Sequence, residues 1–248
     1  MERALTVVTG GSRGIGAATV LALTDAGHDV VFSYRSDEDA AERVRKLAIE
    51  RGARCIAVQG DVSDQVDVER LFGEAAQLGT PTGVVNNAGL TAHIGDLADT
   101  PVEVIRNVID VNLVGVVMCA REGIRAMSTR RGGRGGAIVN ISSAAATLGS
   151  PHEYVHYAAA KAGVEALTVG LAKEVAGDGI RVNAVAPGIV NTDIHAAAGA
   201  PDRAKQAVSR IPFGRLAEPE EIAPAIVWLL GPEAAYTSGA VIRVAGGV

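Results

Sequence analysis

The sequence predicts an α/β protein built as a doubly wound, Rossmann-type sheet with helices on both faces. Three observations predict it. Strand-like and helix-like runs alternate along all 248 residues. The strand-like runs are almost continuously apolar, as parallel strands buried on both faces are. A glycine-rich turn, Thr9-Gly10-Gly11-Ser12-Arg13-Gly14-Ile15-Gly16, follows the first of them and opens a helix. Repeated strand–helix–strand units imply right-handed crossovers. No linker, repeat or low-complexity tail breaks the alternation, so residues 1–248 read as one dinucleotide-binding catalytic domain.

The elements follow in order. Ala4–Thr9 is an apolar strand, and Ile15–Ala26 the helix after the glycine turn. Asp29–Tyr34 is a second strand. Glu38–Arg51 is a second helix, with Ser36 as its N-cap and Asp39 reaching back. Arg54–Val58 is a strand and Gln65–Leu78 a helix. Gly83–Asn86 is a short strand. Pro101–Met127 is long enough for two helices, with Asn112 as a polar break in the run Val111-Asn112-Leu113. Gly136–Ile141 is a strand, Tyr154–Ala176 a helix, and Gly179–Val185 a strand. Pro219–Leu230 is the last helix and Ala240–Val244 the last strand. Residues 128–136 are a glycine- and arginine-rich loop. Residues 190–214, with Pro201 and Pro212, follow the carboxyl end of a strand, where ligands bind in such sheets. That segment is the expected substrate lid.

Composition bounds the function. Hydrophobic residues make up 48% of the chain and aromatics only 3%, which suits close packing of small side chains between helix and sheet. The net charge of −5 gives no general attraction to nucleic acid or to an anionic membrane. Arg121, Arg125, Arg130, Arg131 and Arg134 read as a solvated helix end and loop. Cys55 and Cys119 are the only cysteines, and both lie in apolar stretches, which points to a reducing, cytoplasmic compartment. No apolar run is long enough to span a bilayer. No cluster at metal-ligand spacing occurs, so no metal is expected.

The glycine turn is suited to a dinucleotide. Gly10, Gly14 and Gly16 allow the backbone to approach a pyrophosphate at a helix N-terminus. The second strand ends Ser33-Tyr34-Arg35-Ser36, with a cation where an acid would select against a 2′-phosphate. Arg35 and Arg13 therefore favour NADP, with NAD possible.

The chemistry lies further along. Tyr157 and Lys161 are four residues apart on one helical face, a rise of about 6 Å. A cation one turn from a phenol lowers its pKa and fits it for proton transfer. Tyr154 is a rival tyrosine, but its i+4 residue is Ala158. Ser142 and Ser143 compete for the role of holding the substrate oxygen. His93 and His195 read as packing or surface residues rather than ligands.

Taken together, the glycine turn, Asp61-Val62, Asn86-Asn87-Ala88-Gly89, Asn112, Ile141-Ser142-Ser143, Tyr157-x-x-x-Lys161 and Pro187-Gly188 through Thr192 resemble the short-chain dehydrogenases/reductases over nearly the whole chain. The resemblance implies a seven-stranded parallel sheet, NAD(P) as hydride carrier and a homotetramer. It makes Tyr157 the general acid/base and Lys161 its partner and a ribose ligand. Ser143 positions the substrate oxygen, and Asn112 holds a water for proton relay. Ser12, Ile15 and the turn glycines bind the cofactor, and Asp61 with Val62 meets the adenine. Asn87, Ala88 and Gly89 lie along the cofactor, and Pro187, Gly188, Ile189 and Thr192 near its carboxamide. For Asn86 a purely structural role weighs as much. The Ser143–Tyr157 interval is one residue longer than in many members, and Ala245 stands where an aspartate is common. The expected activity is interconversion of a small carbonyl compound and its alcohol. A 3-oxoacyl-carrier-protein reductase or glucose-type dehydrogenase is the alternative, and a non-catalytic NADP sensor or scaffold the second class.

Overall fold

The computed structural model describes residues 3–192 and 208–248. Among these residues seven strands form one parallel sheet in the order β3-β2-β1-β4-β5-β6-β7. The strands are β1 (Ala4–Val8), β2 (His28–Tyr34), β3 (Cys55–Gln59), β4 (Gly83–Asn86), β5 (Gly136–Ile141), β6 (Ile180–Pro187) and β7 (Val241–Val244). The order reverses between β1 and β4, and the crevice at such a reversal is where doubly wound sheets take ligands.

Alternation along each strand divides the core in two. Leu5, Val7, Val31, Val84, Ile138 and Val182 point to one face. There they meet α3 (Gln65–Leu78), α5 (Gly115–Met127) and α7 (Val155–Glu174) through Leu71, Phe72, Cys119, Met127 and Ala172. Val8, Val30, Phe32, Val85, Val139 and Val185 point to the other. There they meet α1 (Gly14–Asp25), α2 (Glu38–Glu50) and α8 (Pro219–Leu230) through Val20, Leu23, Val44, Ile222 and Leu229. Side chains of period two thus serve two helix layers from one sheet.

Most expected elements lie within two residues of their places. The N-cap of α2 is Asp37, not Ser36: its carboxylate accepts from Ala40 N at 2.9 Å, and a carboxylate is the better cap at a positive helix end. The stretch 101–127 is two helices, α4 (Val102–Ile109) and α5, joined without a loop by a π-helical turn, Asp110–Val114. The arginine-rich loop carries a 3₁₀ turn at Thr129–Arg131, where Arg130 pairs with Asp178. It precedes β5, so it lies at the amino ends of the strands. The expected lid spans 190–214, of which 193–207, with His195, lie outside the described residues.

A buried polar chain crosses the sheet. Asn86 Nδ2 donates to Asn140 Oδ1 at 2.8 Å. Asn140 Nδ2 donates to Thr168 Oγ1 at 2.9 Å, and that hydroxyl donates to the Val164 carbonyl at 2.8 Å. The chain fastens β4 to β5 and β5 to α7, and it gives Asn86 the structural role.

Candidate active site

The carboxyl ends of the strands open into one cavity of about 610 Å³. Every residue expected in the site lines it except Asn112. At one end lies the glycine turn between β1 and α1. It is held from both neighbouring strands. Gly10 N donates to Ser33 Oγ at 3.2 Å, and Gly11 N to Ser33 O at 2.8 Å. On the other side Thr9 Oγ1 accepts from the backbone of Asn87 and Ala88 at 2.9 and 3.0 Å. The Asn87 amide returns bonds to Thr9 O and Gly10 O at 2.9 and 3.0 Å, so this side chain shapes the turn directly. Thr9 as the hinge of this lattice was not singled out from the sequence.

This turn fits a pyrophosphate. A Cβ on Gly16 would stand 2.0 Å from Gly10 O, so only glycine lets the helix close on the turn. Helix α1 has no side-chain cap and no acidic residue in its first turn. Its first N–H groups and the positive end of its dipole therefore face the cavity for an anion. Beside them Arg35 pairs with Asp61 at 3.1 Å and stays largely solvent-exposed. Burial pushes the Asp61 carboxyl up, but hydrogen bonds from Ser63 and the Arg35 charge outweigh it and hold it below its ordinary value. Asp37 lines the same end with its carboxylate engaged as the α2 cap.

At the other end the two serines part. Ser142 is buried and its hydroxyl donates to Glu165 Oε1 at 2.8 Å. Ser143 accepts from Ala145 N at 3.1 Å and lines the cavity with Tyr157, whose pKa it pulls down. Of the two serines, Ser143 is thus the one whose hydroxyl is left to the cavity. Between α6 (Ala145–Leu148) and α7 the loop carries Ser150 and His152 at φ of 47° and 61°. The role of Glu165 as the partner of Ser142 carried no sequence signal, since no spacing rule joins the end of β5 to the third turn of α7.

Tyr157 and Lys161 project from α7 as their spacing predicts. The Lys161 ammonium donates to Ile141 O at 2.8 Å and lies 5.7 Å from the centre of the Tyr157 ring. Burial pushes the Lys161 pKa down to about 8. Burial pushes Tyr157 well above the ordinary phenol value, opposed by the Ser143 bond. Burial dominates the pKa of the Tyr157 phenol in this arrangement, while the Lys161 ammonium donates to a carbonyl and stands near the ring. Tyr154 packs edge-on against Tyr157, centroids 5.2 Å apart at 81°.

Asn112 stands behind the cavity in the π-helical turn. Its amide donates to Leu90 O at 2.7 Å and Val108 O at 2.9 Å. The wider turn leaves room for these bonds. A Cβ on Gly89 would lie 2.7 Å from Asn112 Oδ1 and 3.5 Å from Lys161 Nζ, so both groups converge on this glycine. His93 does not line the cavity and sits beside Gly95. Among the described residues no three His, Cys, Asp or Glu side chains form a metal-holding group, and no helix is long and apolar enough to cross a membrane.

A family model described as enoyl-(acyl carrier protein) reductase matches residues 10–248. The chain is 44% identical to an uncharacterized oxidoreductase, YgfF, of Escherichia coli over 98% of this chain and 99% of that one. It is 41% identical to 3beta-hydroxysteroid dehydrogenase 1 of Eggerthella lenta, over 98% and 92% of the two chains. Among solved structures, a short-chain dehydrogenase from Burkholderia cenocepacia in complex with NADP superposes with a TM-score of 0.89 at 32% identity, covering 99% of this chain and 97% of that one.

Proposed function

The chain belongs to the short-chain dehydrogenase/reductase family of NAD(P)-dependent oxidoreductases, and on that premise we propose that it interconverts a small carbonyl compound and its alcohol with NADP(H). One observation carries the reading: Ser143, Tyr157 and Lys161 line the same cavity as an uncapped glycine turn. Gly10, Ser12, Arg13, Gly14, Ile15 and Gly16 hold the pyrophosphate, Arg35 with Arg13 the 2′-phosphate, and Asp61 with Val62 the adenine. Asn87, Ala88 and Gly89 follow the ribose side, and Pro187, Gly188, Ile189 and Thr192 the carboxamide. The bound nicotinamide supplies the hydride in reduction and accepts it in oxidation.

The protein's part is the proton. As charge builds on the carbonyl oxygen, Tyr157 gives that oxygen its proton while Ser143 donates a hydrogen bond to it. The resulting phenolate is costly in so buried a place. Lys161, close to the ring, stabilises it. Asn112 anchors a water beside Lys161 for the proton's return. In oxidation each transfer reverses. The assembly of all four groups disfavours a sensor or scaffold that does no chemistry.

A carrier protein would dock on a basic patch beside the active-site mouth, and the arginine-rich loop does not supply one there. Arg130 and its neighbours lie at the amino ends of the strands, and the cavity opens at the carboxyl ends. We further propose a cytoplasmic homotetramer. Exposed Val114 and Val117, at the start of α5, and Val169 on α7 give apolar surface for such contacts.

The test is oxidation of NADPH with diketones, aldoses and acyl thioesters, and reduction of NADP with the matching alcohols. Turnover of at least one carbonyl that Tyr157→Phe abolishes supports the reading. Full activity in that variant would sink it.

A further inference from the structure

The segment that follows β7 returns to the cavity. Val248 is partly buried and lines it, as do Leu148 at the end of α6 and Ile211. Ala145, in the same helix as Leu148, packs in one apolar cluster with Tyr154 and Tyr157, so this wall belongs to the reacting end. Polar side chains line the cavity too, among them Thr91, Asn107 and Ser150, with the paired Glu153 and Arg210. Val248 thus adds apolar bulk to a site of mixed polarity.

The place of Val248 is held by a clasp. Gly246 and Gly247 take φ of 62° and 95°, left-handed values that turn the segment back after β7. Gly188 N donates to Val244 O at 3.0 Å, and Phe213 N to Gly246 O at 3.1 Å. A Cβ on Gly188 would lie 2.8 Å from Ala245 Cα, and one on Gly247 2.9 Å from Pro212 Cβ. The segment is therefore packed between the end of β6 and residues 211–213. Arg243, near the carboxyl end of β7, closes the clasp. Its Nη1 donates to Val248 O at 3.1 Å, and its Nη2 donates to Thr147 Oγ1. One guanidinium thereby ties Val248 to α6, the helix that carries Ala145 and Leu148. A planar fork with donors at fixed angles suits two acceptors on different elements, which a lysine's single point charge does not.

Bulk that is held in place excludes substrate volume. In an apolar pocket one methylene more or less changes discrimination by about 10–200-fold. We infer that Val248, positioned by Arg243, sets the upper size of the substrate: its side chain limits the bulk of the ketone or secondary alcohol that the cavity admits. Val248 acts by contact with the substrate. Arg243 and Thr147 are positioning residues that act through it. This rests on the oxidoreductase reading above and adds a size limit to its substrate class.

The experiment compares cyclohexanone with its 4-methyl and 4-tert-butyl derivatives. Dissociation constants come from calorimetry on the NADP-loaded protein, and kcat/KM from NADPH oxidation. Val248→Ala should raise the relative affinity for the tert-butyl ketone about tenfold, and Val248→Phe should lower it about tenfold. Arg243→Met and Thr147→Val should shift it in the direction of Val248→Ala. Arg243→Lys should fall between Arg243→Met and the unmodified chain. A merely structural role would move all three ketones together and leave their ratios alone. Ratios that move less than about twofold in both Val248 variants would overturn the inference. Shifts in those variants with none in Arg243→Met would overturn the clasp. Quenching of bound NADPH fluorescence by acrylamide reads the same opening with no ketone present. It should strengthen in Val248→Ala and Arg243→Met and weaken in Val248→Phe. If none of the ketones binds, the quenching decides, and equal quenching in all variants overturns the inference. Turnover with unmoved ratios sinks the role of Val248 alone. Quenching that shifts as expected, with no carbonyl turned over in the wider screen, sinks the oxidoreductase reading alone.

Discussion

Lys161 donates its ammonium to the carbonyl of Ile141 at 2.8 Å, tying α7 to the end of the strand that leads into Ser143. One bond thereby sets the spacing between the helix that carries Tyr157 and the loop that carries its partner. The same burial that makes this bond strong lowers the Lys161 pKa from 10.5 to about 8. Below pH 8 the lysine is protonated in both the folded and unfolded states, and burial of its charge weakens the fold. Between the folded and unfolded values the unfolded chain binds more protons, so this group's contribution to stability rises with pH. Lys161→Met cannot titrate. Urea unfolding should therefore find the variant's stability relative to the unmodified protein falling by about 3 kcal/mol from pH 7 to above pH 10. A difference that stays constant with pH would show that the lysine is not held as described.

Tyr157→Phe removes one hydroxyl and keeps the ring against Tyr154. NADP binding should persist while kcat falls by about 10²–10⁴, as for loss of a general acid/base. Tyr154→Phe keeps the edge-on ring contact and should be mild. Steady-state kinetics on any substrate turned over decides it, and the opposite ranking would misplace the catalytic tyrosine.

Arg35 sits at the nucleotide end with Asp61 at 3.1 Å. A 2′-phosphate adds a second anion to an exposed cation, and a charge-assisted contact of this kind is worth about 1.5–3 kcal/mol. NADP should bind roughly tenfold to hundredfold tighter than NAD. Arg35→Asp should reverse the order. Fluorescence titrations giving tighter NAD binding to the unmodified protein would contradict the assignment.

Assembly is checked by light scattering. A tetramer of the 25.3 kDa chain is expected. Val117→Glu, which places charge on the exposed face of α5, should lower the mass without abolishing the fold. A monomer for the unmodified chain would refute the assembly.

Much of this was legible because local rules carry it. The turn glycines, the helical step from Tyr157 to Lys161 and the apolar strands are each fixed by short-range geometry. Spacing alone leaves Ser142 and Ser143 open, and only the family resemblance chooses Ser143; the partner that occupies Ser142, Glu165, lies 23 residues from it along the chain. The cap of α2 fell one residue from its expected place because Ser36 and Asp37 both suit the role. Asn112 was legible as a break, but the wider helical turn that absorbs it without a loop was not. The high pKa of Tyr157 escaped a pairwise argument, because spacing brings Lys161 near while burial and Ile141 decide what its charge does.

The chain from Asn86 through Asn140 to Thr168 has a consequence for anyone who varies this protein. Replacing any one of the three by an apolar residue strands its neighbour's polar atoms in the core, at about 1–3 kcal/mol. Replacing all three by residues of matching shape leaves nothing stranded and can be close to neutral. A library that changes one position at a time would therefore score each as indispensable, while a combinatorial library would recover functional triples. Indispensability here is a property of the set, and a route between two such sets must pass through a weaker intermediate.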